Sequence, residues 1–465
     1  FFPSFSAGYD IARTPYFQTM ALPVSQLKVR VSYGRLGNQN GAGLYDYIAQ
    51  MPLDAQGTNA WLLPGISSSK GTIAQTPKMI SPYITWEKVD NANLGFDLML
   101  FKNRLSITAD LYQRTTRDMI GPAESIPSIS GIASEDRAKV NNATLRNRGW
   151  ELSVSWNDKL KCGFSYGVGF NVFNYKAVVT KYNNPEGIIY NNHTGLAANK
   201  GYYEGMDLGE IWGYRADDLF LSNREIDDYL RKVDLTAFKS NDLWRRGDLK
   251  YIDTNGDGRV DGGKGTLSDH GDLQVIGNTT PKYSFGINLN LGYKGFEVST
   301  LLQGVAKRDF PIAGSNYMFG GNNYNFKEHL DYFSTENPNG YLPRLTGWKD
   351  DKDFLVNTGY NTTRYLLNAA YMRMKNLTVA YTFNKKQLKH IGISNLKVYV
   401  TCDNLFTITK LPKQFDPETL NQVNMSAGGD AKNTAPGLTS PMKQNGNGMV
   451  YPMNRNFVFG LDFTF

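Results

Sequence analysis

The stretch Leu94-Gly95-Phe96-Asp97-Leu98-Met99-Leu100-Phe101-Lys102-Asn103-Arg104-Leu105-Ser106-Ile107-Thr108-Ala109-Asp110-Leu111 decides the fold class. Leu94, Phe96, Leu98 and Leu100 alternate with Gly95, Asp97 and Met99. After Phe101-Lys102-Asn103-Arg104 the pattern resumes, with Leu105, Ile107, Ala109 and Leu111 set against Ser106, Thr108 and Asp110. A period of two marks a strand with one apolar face. The same alternation recurs from Leu27, Val29, Val31 and Tyr33 near one end to Phe457, Phe459, Leu461, Phe463 and Phe465 at the other. It predicts strands over 1–9, 25–36, 91–100, 105–115, 147–156, 163–173, 284–292, 295–305, 371–383, 396–405 and 456–465.

A soluble sandwich gives the same alternation, so the connections carry the decision. They run about 15, 54, 4, 31, 6, 110, 2, 65, 12 and 50 residues, short and long in turn. Compact domains rarely hold structureless connections beyond roughly 12–15 residues. Outer-membrane barrels do so by rule, with short periplasmic turns and long extracellular loops. The fold expected is therefore all-β, a transmembrane antiparallel β-barrel whose long loops lie near 37–90, 116–146, 174–283, 306–370 and 406–455. Backbone polar groups in hydrocarbon must all be paired, which only helices or a closed barrel achieve. Trp86, Trp150 and Trp156 fall near strand ends, where an indole suits the headgroup level. Lys28, Arg30, Asp97, Asp110 and Asp462 fall on the opposite, inward side, which must then be wet or polar-lined. Eleven is odd, so the first and last strands run the same way and antiparallel closure needs strands from upstream residues or another chain. Residues 174–283 have room for further strands, for instance around Ile211-Trp212-Gly213-Tyr214.

Composition agrees. With 465 residues, 41% hydrophobic content and a mean hydropathy of −0.43, the chain has no run long and apolar enough for a membrane helix. The net charge of +7 is spread along the chain without a basic patch or arm, so no nucleic-acid partner is expected. Two cysteines exclude a disulfide scaffold, and four scattered histidines leave little for a zinc site. No signal peptide opens the chain, whose first residues resemble the middle of a strand, as expected of a processed chain or a fragment.

The clearest local motif is Asp253-Thr254-Asn255-Gly256-Asp257-Gly258-Arg259-Val260-Asp261. Oxygens from Asp253, Asn255, Asp257 and Asp261, with the Arg259 backbone carbonyl, match a hard-cation loop, so Ca2+ is a candidate ion. Lys264 stands where a bidentate Glu belongs, however, and a Gly/Asp-rich turn that needs no metal is the competing reading. No cofactor is required. Gly258-x4-Gly263-Lys264 nearly spells a phosphate loop but lacks the following Ser or Thr. Cys402, His390, Asp217-Asp218 and Glu204/Asp207 assemble no catalytic site, and no enzyme is expected. Loops rich in Asn, Gly and aromatic residues suit sugars or peptide backbones at a cleft, with Tyr190, Tyr202, Tyr203, Trp212, Tyr317, Phe319 and Tyr324 as candidate binding residues. The terminal alternation Phe457, Phe459, Leu461, Phe463, Phe465 suits an outer-membrane assembly signal.

In order along the chain, several blocks resemble the C-terminal half of the SusC/RagA family of TonB-dependent outer-membrane transporters. They are Phe2-Pro3-Ser4-Phe5-Ser6-Ala7-Gly8-Tyr9, Leu27 through Asn38, Trp86-Glu87-Lys88-Val89, Gly247-Asp248-Leu249-Lys250-Tyr251-Ile252-Asp253-Thr254-Asn255-Gly256-Asp257-Gly258, Met372-Arg373-Met374-Lys375-Asn376 and Asp403-Asn404-Leu405-Phe406. The resemblance implies a barrel of about 22 strands with a plug in its lumen, about eleven of them in this chain. The plug and the TonB-contacting segment would lie N-terminally, outside these residues. It further implies import of glycans or peptides in the bacterial outer membrane, energised through the TonB complex, with a SusD-like surface lipoprotein as lid. The alternative is an adhesin or binding barrel without active transport.

Overall fold

The computed structural model describes residues 2–20, 22–39, 48–49, 51, 53–54, 73–74, 77, 79–121, 129, 138–189, 202–312, 327–346, 352–383, 388, 393–420 and 452–464. Eleven strands pair in sequence order into one antiparallel sheet: β1 (Ser4–Asp10), β2 (Val24–Asn38), β3 (Glu87–Leu100), β4 (Leu105–Gly121), β5 (Val140–Lys159), β6 (Ser165–Lys181), β7 (Lys282–Tyr293), β8 (Phe296–Lys307), β9 (Tyr371–Thr382), β10 (Asn395–Asp403) and β11 (Asn456–Thr464). A twelfth, short segment, Thr407–Thr409, adds to β9. All eleven expected strands are present. β1 and β11 are the two ends of the sheet.

Register assigns every side chain to a face. One row runs Leu27, Leu98, Ile107, Val154, Phe170, Ile287 and Leu302 across β2 to β8. Beyond it, Val379, Val400 and Phe459 share the same face. The other face carries Lys28, Asp97, Thr108, Ser153, Asn171, Gly286 and Gln303. The apolar face is not the core. Leu111 is 59% and Phe459 77% exposed, and so large an apolar surface marks contact with lipid or a partner rather than water. On the polar face Arg30 bridges Asp97 at 2.8 Å and Asp110 at 3.1 Å. Cys402 lies on the apolar face, paired with Leu377 and Phe457.

The short turns gather at one end. Lys294 and Gly295 close the β7–β8 hairpin with φ of 46° and 90°, the left-handed pair that matches strand twist. A Cβ on Gly295 would stand 2.6 Å from the Thr382 carbonyl oxygen, so only glycine fits. Just above these turns the apolar face ends in an aromatic ring. Phe101 packs on Trp156 at 6.0 Å, Phe164 on Tyr293 at 6.3 Å and Phe296 on Tyr381 at 4.6 Å. The Trp156 indole donates to the Tyr166 hydroxyl at 3.2 Å. Trp150 stands at the other border of the apolar face, beside Arg148 in sequence.

Two expectations need correction. β4 continues to Gly121, β5 starts at Val140 and β6 reaches Lys181, so the connections expected at 116–146 and 174–283 begin and end within strands. Backbone pairing persists above the apolar band because ladder hydrogen bonds do not require apolar side chains, and alternation is blind to such polar extensions. The long connections are also not structureless. The main hydrophobic core of the described residues lies mostly in them: of 28 buried residues from Val179 to Leu420 that pack together above the long-loop ends of β5 to β9, all but Val179 of β6 lie outside the eleven strands. His390 and Phe465 lie outside the described residues.

Candidate functional site

The loop unit above the strand ends is built from residues 202–281, 309–312, 327–346, 352–370 and 404–420. Glu210–Gly213 pairs with Gln274–Asn278, Asp218–Leu219 with Leu249–Lys250, and Asp309–Pro311 with Leu366–Asn368. The strand expected near Ile211-Trp212-Gly213 is thus present, in a small sheet of its own. Asn223–Leu230 is a helix because Ser222 caps it, accepting from Glu225 N at 3.2 Å, while Glu225 reaches back to Leu221 N at 2.9 Å. Aromatic rings fill the centre. Phe238 stacks on Tyr251 at 4.4 Å, and Tyr214 meets Phe238, Tyr251 and Tyr360 edge-on at 5.2, 5.6 and 5.8 Å. Burial pushes the Tyr251 hydroxyl well up, and it donates to the Val356 carbonyl at 2.5 Å.

Within this core sits an ionic cluster. Asp248 is fully buried and accepts from Lys239 Nζ at 2.7 Å, Arg245 N at 2.8 Å, Arg344 Nε at 2.6 Å and Asn357 Nδ2 at 2.8 Å. Lys239 also reaches Asp353 at 2.6 Å and lies 4.6 Å from the Trp244 ring centre. Burial alone would raise the Asp353 carboxyl, but hydrogen bonds from Lys239 and Arg344 hold it below the usual range. One carboxylate thereby fixes the 202–281 segment to the 327–370 segment. Gly247 beside it, at φ 85°, has room for no side chain: a Cβ would stand 2.3 Å from Phe333. A second cluster joins residues 415–420 to the sheet. Arg373 of β9 bonds Asp416 at 2.8 Å and Glu418 at 2.7 Å, and Lys375 bonds Glu418 at 2.8 Å.

The Asp/Asn loop closes on itself. Asp253 accepts from Gly256 N at 2.6 Å and Gly258 N at 2.8 Å, Asn255 from Asp257 N at 2.9 Å, and Asp257 from Arg259 N at 2.9 Å. Asp261 accepts from Gly263 N at 2.7 Å and pairs with Arg259 at 2.9 Å. Asp272, nearly fully buried, holds Thr254 N at 2.7 Å and Asp261 N at 3.1 Å. The side-chain oxygens expected on a cation accept from the turn's own N–H groups, and among the described residues no three His, Cys, Asp or Glu side chains converge as a metal site.

Of the aromatic candidates, Tyr190, Tyr317, Phe319 and Tyr324 lie outside the described residues. Tyr202 is 44% exposed and packs edge-on against Tyr182 at 5.4 Å. Tyr203 and Trp212 are buried. The Tyr203 hydroxyl donates to Glu210, and the Trp212 indole donates to Tyr203 and to Glu210, both at 3.2 Å. Burial raises the Glu210 carboxyl above its usual value, against the pull of Trp212 and the Asp207 amide. Phe457, Phe459, Leu461 and Phe463 stand in a row on the apolar face of β11. Sequence reasoning missed Lys239, Arg344 and Asp353: nothing in their spacing links them, although Gly247-Asp248 lay inside the block most specific to the resemblance.

Residues 1–405 match the family described as TonB dependent receptor-like, beta-barrel. TonB-dependent receptor P3 of Formosa agariphila is 25% identical over 468 residues, covering 100% of this chain and 42% of that protein. TonB-dependent receptor SusC of Bacteroides thetaiotaomicron is 22% identical, over 91% of this chain and 38% of that protein. The chain therefore spans about two fifths of the length of these relatives. A structure of the RagAB peptide transporter superposes with a TM-score of 0.62 at 23% identity, covering 90% of this chain and 41% of that one, which bears on the fold. With the matching family model spanning most of its length, the chain belongs to the TonB-dependent receptor-like β-barrel family of the bacterial outer membrane, on its SusC/RagA branch.

Proposed function

We propose that this chain is the C-terminal part of the barrel of a TonB-dependent importer that takes up glycans or peptides. The carrying observation is the eleven-strand sheet, in sequence order, with one exposed apolar face and one polar face. Its two free ends run in the same direction, so antiparallel closure calls for partner strands. In our reading these come from the N-terminal remainder of the same protein, completing a barrel of about 22 strands around a plug. The polar face lines the interior, and residues 37–90, 116–146, 174–283, 306–370 and 406–455 stand on the extracellular side. There the 202–420 unit forms a rigid rim of an external cavity, which a SusD-like lipoprotein covers. Plug movement driven by the TonB complex opens the route inward. The family is one of transporters and not of enzymes.

The test is uptake by cells carrying the full-length protein, with labelled oligosaccharide and oligopeptide panels, with and without a functional TonB system. Energy-dependent uptake of one class supports the proposal. Retained surface binding with no TonB-dependent uptake would instead favour an adhesin or binding barrel.

We propose further that the Asp253–Asp261 turn needs no ion, because its own amides already hold its shape and Lys264 stands where a bidentate carboxylate belongs. Exchanging calcium for a chelator is expected to move the melting temperature of the full-length protein by less than about 1 °C. A rise of several degrees with calcium would show that the loop takes the ion.

A further inference from the structure

Across β2 to β6 the apolar face ends abruptly on the long-loop side. The row Val31, Leu94, Leu111, Trp150 is apolar from β2 to β5 and meets Asn174 on β6. The next row is Tyr33, Ala92, Gln113, Arg148, Lys176, and the one after it Arg35, Asp90, Thr115, Arg146, Val178. Lys88 opposes Arg117 one row higher. A belt of six basic side chains, four of them arginines, thus lies within three successive rows of the register over five strands.

Acidic partners are fewer. Asp90 accepts from Arg35 at 2.6 Å, Arg117 at 2.9 Å and the Tyr33 hydroxyl at 3.1 Å. Asp118 pairs with Lys88 at 2.7 Å, and Glu210 lies close enough to Lys176 to feel its charge. Arg148, exposed, bonds the amide oxygen of Gln113 at 2.6 Å, a neutral partner. Arg146, half-buried beside it, has no carboxylate within ion-pair distance among the described residues. The inner face cannot take these charges, since Leu145, Val179 and their neighbours there pack under the loop unit.

We propose that this belt binds the phosphate groups of an outer-leaflet glycolipid. The argument is one of charge and position. Cations at the edge of a hydrocarbon-facing band lie at headgroup level, where an anionic surface attracts each of them. A guanidinium offers a planar fork matched to phosphate. Asp90 holds Arg35 on one carboxylate oxygen and Arg117 on the other, and Arg146 and Arg148 extend the belt toward Lys176. The acyl chains would lie along Val31, Leu94, Leu111 and Trp150, directly below, so one ligand of this kind satisfies both surfaces. The inference rests on the outer-membrane barrel reading.

The test uses the full-length protein, stripped of lipid in detergent and then titrated with diphosphoryl lipid A, with the dephosphorylated lipid, or with inorganic phosphate. Bound lipid is counted by native mass spectrometry. Wild-type protein is expected to retain the diphosphoryl lipid. The Arg146→Gln/Arg148→Gln variant should bind it about tenfold to thirtyfold more weakly, and Arg146→Lys/Arg148→Lys should fall between. Equal binding of the dephosphorylated lipid, unchanged binding by the Gln variant, or displacement of the lipid by millimolar inorganic phosphate alone would each overturn the proposal. Heat-modifiable gel mobility, measured on the same samples, reports whether the barrel has folded. Failure of the barrel reading is thereby separated from failure of the lipid site.

Discussion

Replacing Asp248 with alanine is expected to unfold the loop unit while leaving the strand ladder intact. The Asp248 and Lys239 side chains are both 0% exposed, and Lys239 would retain only Asp353 as a carboxylate partner. Breaking a buried ion pair from one side costs about 3–5 kcal/mol, because the remaining charge is left without compensation. The Arg245 amide also loses its acceptor, and Asn357 Nδ2 keeps only the Asp353 carbonyl at 3.0 Å. Limited proteolysis of the full-length protein should then release cleavage within 202–281 and 327–370 at temperatures where the wild type resists. Asp248→Asn, which keeps the shape and part of the hydrogen bonding, should be milder. Cleavage unchanged in Asp248→Ala would mean that the aromatic packing holds the unit alone. Acid should act in the same direction. Asp353 titrates lower in the folded chain than in the unfolded one, so its contribution is complete above about pH 4 and is lost as pH falls through the folded value.

Leu152→Arg and Ser153→Arg, adjacent substitutions on β5, are expected to differ sharply. Leu152 shares the apolar face with Ala109 and Val172, whereas Ser153 lies opposite Thr108 and Asn171 on the polar face. A lipid-facing arginine near the middle of the band destabilises a barrel by roughly 2–4 kcal/mol, and a lumen-facing one does not carry this penalty. Folding of the two full-length variants into defined vesicles, followed by urea titration, measures the difference. Equal stabilities would mean that the two faces of the sheet meet similar surroundings.

The wall was legible because its signal is local. Each strand states its own face by alternation, and the ladder in sequence order follows from short turns such as Lys294-Gly295. Strand ends on the long-loop side were not legible. There the apolar face gives way to Gln113, Arg146 and Arg148 while pairing continues, so periodicity fades before the strand does. The loop unit was hidden for a different reason. Its core joins Tyr214, Phe238, Tyr251 and Tyr360, and its ionic cluster joins Lys239, Asp248, Arg344 and Asp353. These residues come from segments about a hundred positions apart, and no spacing rule in one sequence links them. The aromatic residues Tyr203 and Trp212 looked like binding groups because loop aromatics often are. Here their rings are buried at the seam between the unit and β6, around Glu210.

The central claim, hydrocarbon on one side of the sheet and an enclosed polar interior on the other, is tested most directly by site-directed spin labels in the full-length protein in a bilayer. Labels at Leu98, Val154 and Phe459 should collide with dissolved oxygen and be shielded from a water-soluble nickel complex, while labels at Asp97, Ser155 and Asp462 should show the reverse or a protein-packed, oxygen-poor surrounding. Nickel access at the first three positions, or oxygen-rich hydrocarbon at the second three, would contradict it.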